Sequence, residues 1–278
     1  MAIDATSFDV ADTEANTARF GRMGSGPKAS AYPKLHVAAL AECGSHAITA
    51  AVLGSCRTGE RTLVAGLTAG VGPGMLVLAD AGLFSCELFD RFAATRAELA
   101  WRVGASVSIG HVRWLPDGSY QALIYAPGLS AGRRARLVEQ AKAGHDVSAE
   151  LVRLVRVVEY TVPDRNPDGE LIVVVTTVTN PHDLPALALA EAYHQRWEEE
   201  SALDEIKTDL RGRGEVLRSK TPDLVEQQMW GLLLAHYAIR ALLLQAADPA
   251  GYDPDRMSFI KGLRIVRRQV TDQAAITP

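Results

Sequence analysis

The apolar run from Met75 to Ala79 (MLVLA) constrains this chain more than any other segment. It is bounded by Pro73-Gly74 on one side and Asp80 on the other. A run this short with no polar position reads as a strand buried on both faces. Ser85 then caps a helix expected through about Thr95, and Leu99 to Val103 is the next strand. Upstream, Met1 to Val10 has strand character, residues 11–33 read as a polar, Gly/Pro-containing loop, and His36–Leu40 with His46–Leu53 reads as a hairpin. Residues 58–70 read as a helix with Leu63, Leu67 and Val71 on one face. A β-meander followed by alternating helices and strands is the pattern of a layered α/β core.

The pattern changes after residue 104. Turn signals at Pro116-Asp117-Gly118 and Asn166-Pro167-Asp168-Gly169 separate β-rich runs at Tyr120–Tyr125, Leu151–Val162 and Leu171–Val178. Residues 105–183 are therefore expected to form a mainly β insertion, closed by a linker from Pro181 to Pro185. Residues 1–104 are the first part of the core, and residues 184–278 add helices. A long helix is expected over Ala186–Leu210, an apolar one over Pro222–Gln245, and an amphipathic one over Pro254–Val270. The last has Phe259, Leu263, Val266 and Val270 on its apolar stripe, with Lys261, Arg264, Arg267 and Arg268 over the remainder.

The chain has 278 residues, 47% of them hydrophobic, enough for a sizeable core. Charges interrupt every long apolar stretch, which argues against a membrane span. The three cysteines, Cys43, Cys56 and Cys86, have no metal-ligand spacing and read as reduced core thiols of a cytosolic protein. A net charge of −4 argues against a protein that coats DNA by bulk attraction. It does not exclude a DNA enzyme whose basic residues are local and whose acids hold metal.

The strongest chemical signal is on the long helix. Tyr193, Arg196, Glu200 and Lys207 fall at offsets that an uninterrupted α-helix projects within roughly 60° of one another. A carboxylate beside an arginine on a partly apolar stripe suggests a site, though a charged surface helix with local ion pairs has the same spacing. His36, His46 and His236 lie in apolar runs and read as satisfied buried histidines, and Trp101, Trp197 and Trp230 as core. Glu198 and Glu199 point away from the stripe on the same reckoning. The cluster Arg133-Arg134-Arg136 reads as a solvated helix face.

The segment YHQRWEEESALDEIK, with its Tyr-x2-Arg-x3-Glu-x6-Lys spacing, resembles the signature of the DDE transposases of the insertion-sequence-four family. LVLADAG around Asp80, LRSKTPD at 217–223, LLLAHYAIR at 232–240 and AIDATSFDVADT at the start are similar to that family's other words, in the same order. Ala5 and Ala81 stand where the family more often has glycine and a polar or basic residue. The resemblance implies a ribonuclease-H-like α/β fold: a mixed sheet with flanking helices and a mainly β insertion. It implies a catalytic triad of Asp4, Asp80 and Glu200 holding two Mg²⁺ or Mn²⁺ ions, with Tyr193, Arg196 and Lys207 on DNA phosphates. Transposon ends and target DNA are the implied partners, with two copies paired in a synaptic complex and no membrane, in the bacterial cytoplasm at the nucleoid. It implies that an N-terminal end-recognising domain and a basic C-terminal tail are missing. In related enzymes a tryptophan of the insertion stacks on a displaced base; Trp114 stands in that region here, although an aromatic of the sheet has the same look. Two alternatives stay open: a truncated, non-catalytic remnant, and a ribonuclease-H-like nuclease of general specificity.

Overall fold

The computed structural model describes residues 1–162 and 170–274, so the Asn166–Gly169 turn lies outside the described residues. The chain divides into two compact units, one of residues 2–70 and 197–278, the other of Met1 with residues 71–196.

In the first unit, β1 (Ala2–Asp9), β2 (Lys34–Ala41) and β3 (Ile48–Ser55) form an antiparallel meander, with Asp4 opposite Ala39 and Phe8 opposite Leu35. Phe8, Leu35, Val37 and Ala39 are buried in one cluster with Ala202, Leu203, Ile206 and Met229. These last residues belong to three successive helical pieces. They are α6 (Trp197–Asp204), a π-helical turn (Glu205–Leu210) and α7 (Pro222–Ala247). Each large apolar side chain buried in such a cluster contributes about 1.5–3 kcal/mol. On residues 58–70 the helical expectation holds as α2 (Glu60–Val64) running into a 3-10 turn (Ala65–Gly70). The last helix, α8 (Phe259–Ala274), buries Phe259 and Leu263 against Ile239.

The loop expected over residues 11–33 contains α1 (Glu14–Phe20), which the sequence pattern does not show. Phe20 is its one buried apolar residue, so there is no periodicity to read. Instead the Thr13 hydroxyl accepts the Asn16 N–H, and Asn16 Nδ2 donates to the carbonyls of Ala11 and Ser219.

In the second unit, β4 (Leu76–Ala79) and β5 (Glu98–Arg102) are parallel, joined by α3 (Cys86–Ala93). Ser85 caps α3 by accepting the Leu88 N–H. Phe89 and Phe92 of α3 meet Trp101 edge-on, with ring centroids 5.6 and 5.3 Å apart, a geometry worth about 0.5–1.5 kcal/mol beyond burial. The strands β6 (Gly110–Trp114), β7 (Tyr120–Tyr125), β8 (Val152–Val162) and β9 (Glu170–Thr176) are antiparallel, and this unit's order is β4-β5-β9-β8-β7-β6. The sheet is therefore mixed. A helix, α4 (Ala131–Lys142), packs by Leu137 on Leu123, Tyr125 and Val152.

The single long helix expected over Ala186–Leu210 is a correction. The structure has α5 (Ala186–His194), a turn at Gln195 and Arg196, then α6 and the π-helical turn. At the break the Gln195 and Arg196 amides reach back three residues, to Ala192 and Tyr193. No glycine or proline marks it; the anchors are tertiary. The start of α5 is tied by the Ala186 N–H to Asp117, and its end by the Tyr193 hydroxyl to Ala79.

Three burial expectations are corrected as well. Trp230 is 43% exposed, Val270 is 61% exposed, and of the cysteines only Cys43 is buried, Cys56 and Cys86 being half-buried. By length and composition α7 is long and apolar enough to cross a membrane. Its Val225, Met229 and Leu233 are buried in the first unit's core, while Leu224, Leu234, Tyr237 and Leu242 on the same helix are exposed.

Candidate functional site

The residues expected to act on DNA fall in both units. In the second unit, Asp80 directly follows Ala79, at the carboxyl end of a parallel strand, where open α/β sheets place their ligands. Ala79 is paired with Trp101, so the next residue of β5, Arg102, comes level with Asp80. Arg102 forms an ion pair with Glu170. Burial works against the Arg102 charge, but Glu170, then Asp80 and Tyr193, outweigh it and raise its pKa above the ordinary value.

Tyr193 is buried, and its hydroxyl donates to the Ala79 carbonyl at 3.3 Å. Burial raises its pKa; Arg196 opposes this and Asp80 adds to it. Tyr160 is pushed up to about 12 by burial against the opposing pull of Arg102. Arg196 is 6% exposed. Tyr193 and Arg196 are thus packed inside the protein here. Tyr193 holds the end of the Asp80 strand.

In the first unit, Asp4 lies in β1, and its carboxylate accepts the Ala5 N–H at 2.8 Å. Strand alternation puts Asp4, Thr6 and Phe8 on one face. Phe8 packs with Ala202 and Leu203, so α6 covers that face. Glu200 is exposed on α6, three residues before the buried Leu203, at the flank of the packed stripe. Lys207 is half-buried in the π-helical turn. The shared stripe of Tyr193, Arg196, Glu200 and Lys207 does not survive the break and the π turn, because its angles assume an unbroken α-helix. The side chains of Glu198 and Glu199 lie outside the described residues. Among the described residues no three His, Cys, Asp or Glu side chains stand close enough together to share a metal ion.

A model described as the transposase DDE domain matches residues 1–238, most of the chain. The chain belongs to that family. It is 28% identical over 283 residues to the transposase InsG for insertion sequence element IS4 of Escherichia coli (strain K12), covering 100% of this chain and 60% of that protein. Among solved structures it resembles the piggyBac transposase in a synaptic complex with hairpin DNA, with a TM-score of 0.54 at 12% identity over 100% of this chain and 54% of that one. At that identity the likeness shows the fold: the α/β, ribonuclease-H-like mixed sheet with flanking helices.

In this DDE domain two groups were not foreseen from sequence. Arg102, the neighbour of Asp80, was hidden in a strand word, LAWRV; a charged residue ending a buried strand beside the Asp80 strand is the signal that could have found it. The second is a buried ionic cluster around Arg240, in which His46 and His236 take part. Those two histidines are buried, as expected, while His36 is half-buried. Trp114 is 66% exposed on β6, its ring against His111 and Tyr120. Arg133 and Arg136 are exposed on α4.

Proposed function

We propose that this chain is the catalytic core of a transposase that hydrolyses a DNA phosphodiester bond at insertion-sequence ends and joins the freed 3′-hydroxyl to target DNA. The observation that carries the reading is the DDE-domain match over residues 1–238, which contains all three candidate acids. Transposon ends and target are the substrate, two copies pair in a synaptic complex, and the site of action is the bacterial nucleoid. Residues 1–104 and 184–278 make the core, and residues 105–183 the β-rich insertion.

Asp4, Asp80 and Glu200 would hold two Mg²⁺ or Mn²⁺ ions. Carboxylate oxygens are the hard donors these ions take, and when bound the ions supply charge stabilisation at the phosphate. Three features support this: Asp80 ends a parallel strand, Glu200 stands on the helix that covers the Asp4 face, and Met1, three residues before Asp4, is hydrogen-bonded to Leu76 and Leu78 of β4. The protein's own part is positioning. Tyr193 fixes the end of β4, Arg102 faces Asp80, and Lys207 and Arg196 bring positive charge toward the phosphates.

The test is Mn²⁺-dependent nicking of supercoiled plasmid by the full 278-residue chain and by Asp4→Asn, Asp80→Asn and Glu200→Gln. Each variant should fold and lose at least about 100-fold in rate, the scale on which removing one charge-stabilising group acts. Undiminished nicking by any of the three removes that residue from the triad. A folded wild-type chain that never nicks favours a non-catalytic remnant.

A further inference from the structure

Arg240 of α7 is 2% exposed, and three separate segments of the first unit meet on it. Its Nε donates to Glu205 Oε2 at 3.0 Å while Nη2 takes the other oxygen, the two-pronged arrangement by which a guanidinium holds a carboxylate. His236, one turn earlier on α7 and fully buried, brings Nε2 to 2.9 Å from the same Oε2. Nη2 also lies 2.8 Å from Nδ1 of His46, in the connection between β2 and β3. His46 Nε2 in turn pairs with Asp255 at 2.6 Å. The guanidinium lies over the Phe259 ring at the start of α8, 5.4 Å from its centroid.

Two further observations bear on what this cluster does. Glu205 is the first residue of the π-helical turn, and the turn is real in its bonding: the Arg211 amide reaches the Ile206 carbonyl, five residues back. Such turns are rare and concentrate at functional sites. His46 has φ of 59°, a left-handed conformation that a residue with a Cβ adopts rarely, and such strain persists where surrounding contacts over-determine it. A buried ion pair is also a poor device for stability, since desolvating both charges offsets most of their attraction. What it does well is fix geometry.

We propose that the Arg240–Glu205 pair, buttressed by His236 and His46, is a positioning device that holds the π-helical turn so that Glu200, five residues before it, and Lys207, inside it, keep their places over the β1 strand of Asp4. Arg240 and Glu205 are positioning residues; neither touches the reacting atoms. The inference rests on the reading of Glu200 as a member of the acid triad.

The experiment compares the full chain with the double variant Glu205→Gln/Arg240→Met, which removes both charges together and leaves neither buried alone, and with Glu200→Gln as reaction control. Three quantities are measured: the thermal midpoint, amide hydrogen exchange over residues 200–211, and kcat and KM for Mn²⁺-dependent plasmid nicking. The double variant should keep a midpoint close to wild type and exchange faster over 205–211. Its kcat should fall by roughly 10–100-fold, the usual cost of losing outer-shell support, with KM for DNA unchanged. A merely structural pair would lower the midpoint and leave kcat of the folded fraction alone, and that result overturns the proposal. Unchanged exchange over 205–211 overturns it as well. If Glu200→Gln nicks like wild type, it is the triad reading that fails; the exchange result then still decides whether the pair holds the turn.

Discussion

At the scale of single residues, Tyr193 marks the distance between a motif and its geometry. As part of a spaced signature it looked outward; in the structure its ring is buried and its hydroxyl is spent on the Ala79 carbonyl. Tyr160, nearby, is also held neutral by burial, its pKa pushed up to about 12. A tyrosine whose folded pKa lies above the unfolded value of about 10 retains its proton in the folded state while the unfolded chain loses it. Its contribution is fully present below about pH 10 and is lost as pH rises through the folded pKa, so stability must fall on the alkaline side. Tyr160→Phe and Tyr193→Phe should each flatten that fall above about pH 10. Chemical denaturation across about pH 8–12 checks both; parallel curves for wild type and variants would contradict the assignment. None of this was legible in the sequence, because burial of a tyrosine on a helix depends on what packs over it. The candidate acids were legible as positions in a pattern, yet their surroundings were not. Arg102 becomes the neighbour of Asp80 only through the pairing of Ala79 with Trp101.

At the scale of elements, strands were legible and helix continuity was not. Short apolar runs bounded by turn residues foretold β4, β5, β7 and β8 closely, because buried strands need apolar side chains on both faces. The break before α6 left no trace, since its cause is an anchor from far away. Asp117, in the turn between β6 and β7, accepts the first amide of α5 at 2.9 Å and pairs with the Arg156 guanidinium. Arg156 is fully buried, and it also donates to Ser119 and to the Leu184 carbonyl just ahead of α5. The Asp117 pKa is lowered despite burial, by Ser119, the Ala186 amide and Arg156. Asp117→Ala strips a buried guanidinium of its partner and α5 of its cap. It should cost about 3 kcal/mol or more, read from urea unfolding at neutral pH. Because the folded pKa is depressed, the wild-type contribution is present above the unfolded value of about 3.9 and lost as pH falls through the folded one. The gap between wild type and variant should therefore narrow in acid. A variant as stable as wild type would show that α5 is placed by other interactions.

At the scale of the whole molecule, charge and function have to be reconciled. A chain of net charge −4 cannot hold DNA by its average field, so the proposed function asks for local basic surface. The last helix supplies one: Phe259 and Leu263 of α8 are buried, while Lys261, Arg264 and Arg268 are exposed. This division of one helix into an apolar and a basic face was legible in the sequence, because helical period alone dictates it. If the basic face lies along the phosphate backbone, every phosphate it neutralises sets a counterion free, and log affinity falls with log salt at a slope of about −0.9 for each. Arg264→Gln/Arg268→Gln should then weaken binding to duplexes of any sequence by a similar factor, because ionic pairing with phosphate carries no base information. The salt slope should become shallower by about 1.8, the share of two phosphates. Fluorescence anisotropy on two unrelated duplexes, titrated between about 50 and 200 mM salt, measures both quantities. Weaker binding with an unchanged slope would mean that the substitutions disturbed the fold of α8 rather than its pairing with phosphate. No change in either would place the DNA against a different face, and the exposed Arg133 and Arg136 of α4 would be the next pair to substitute.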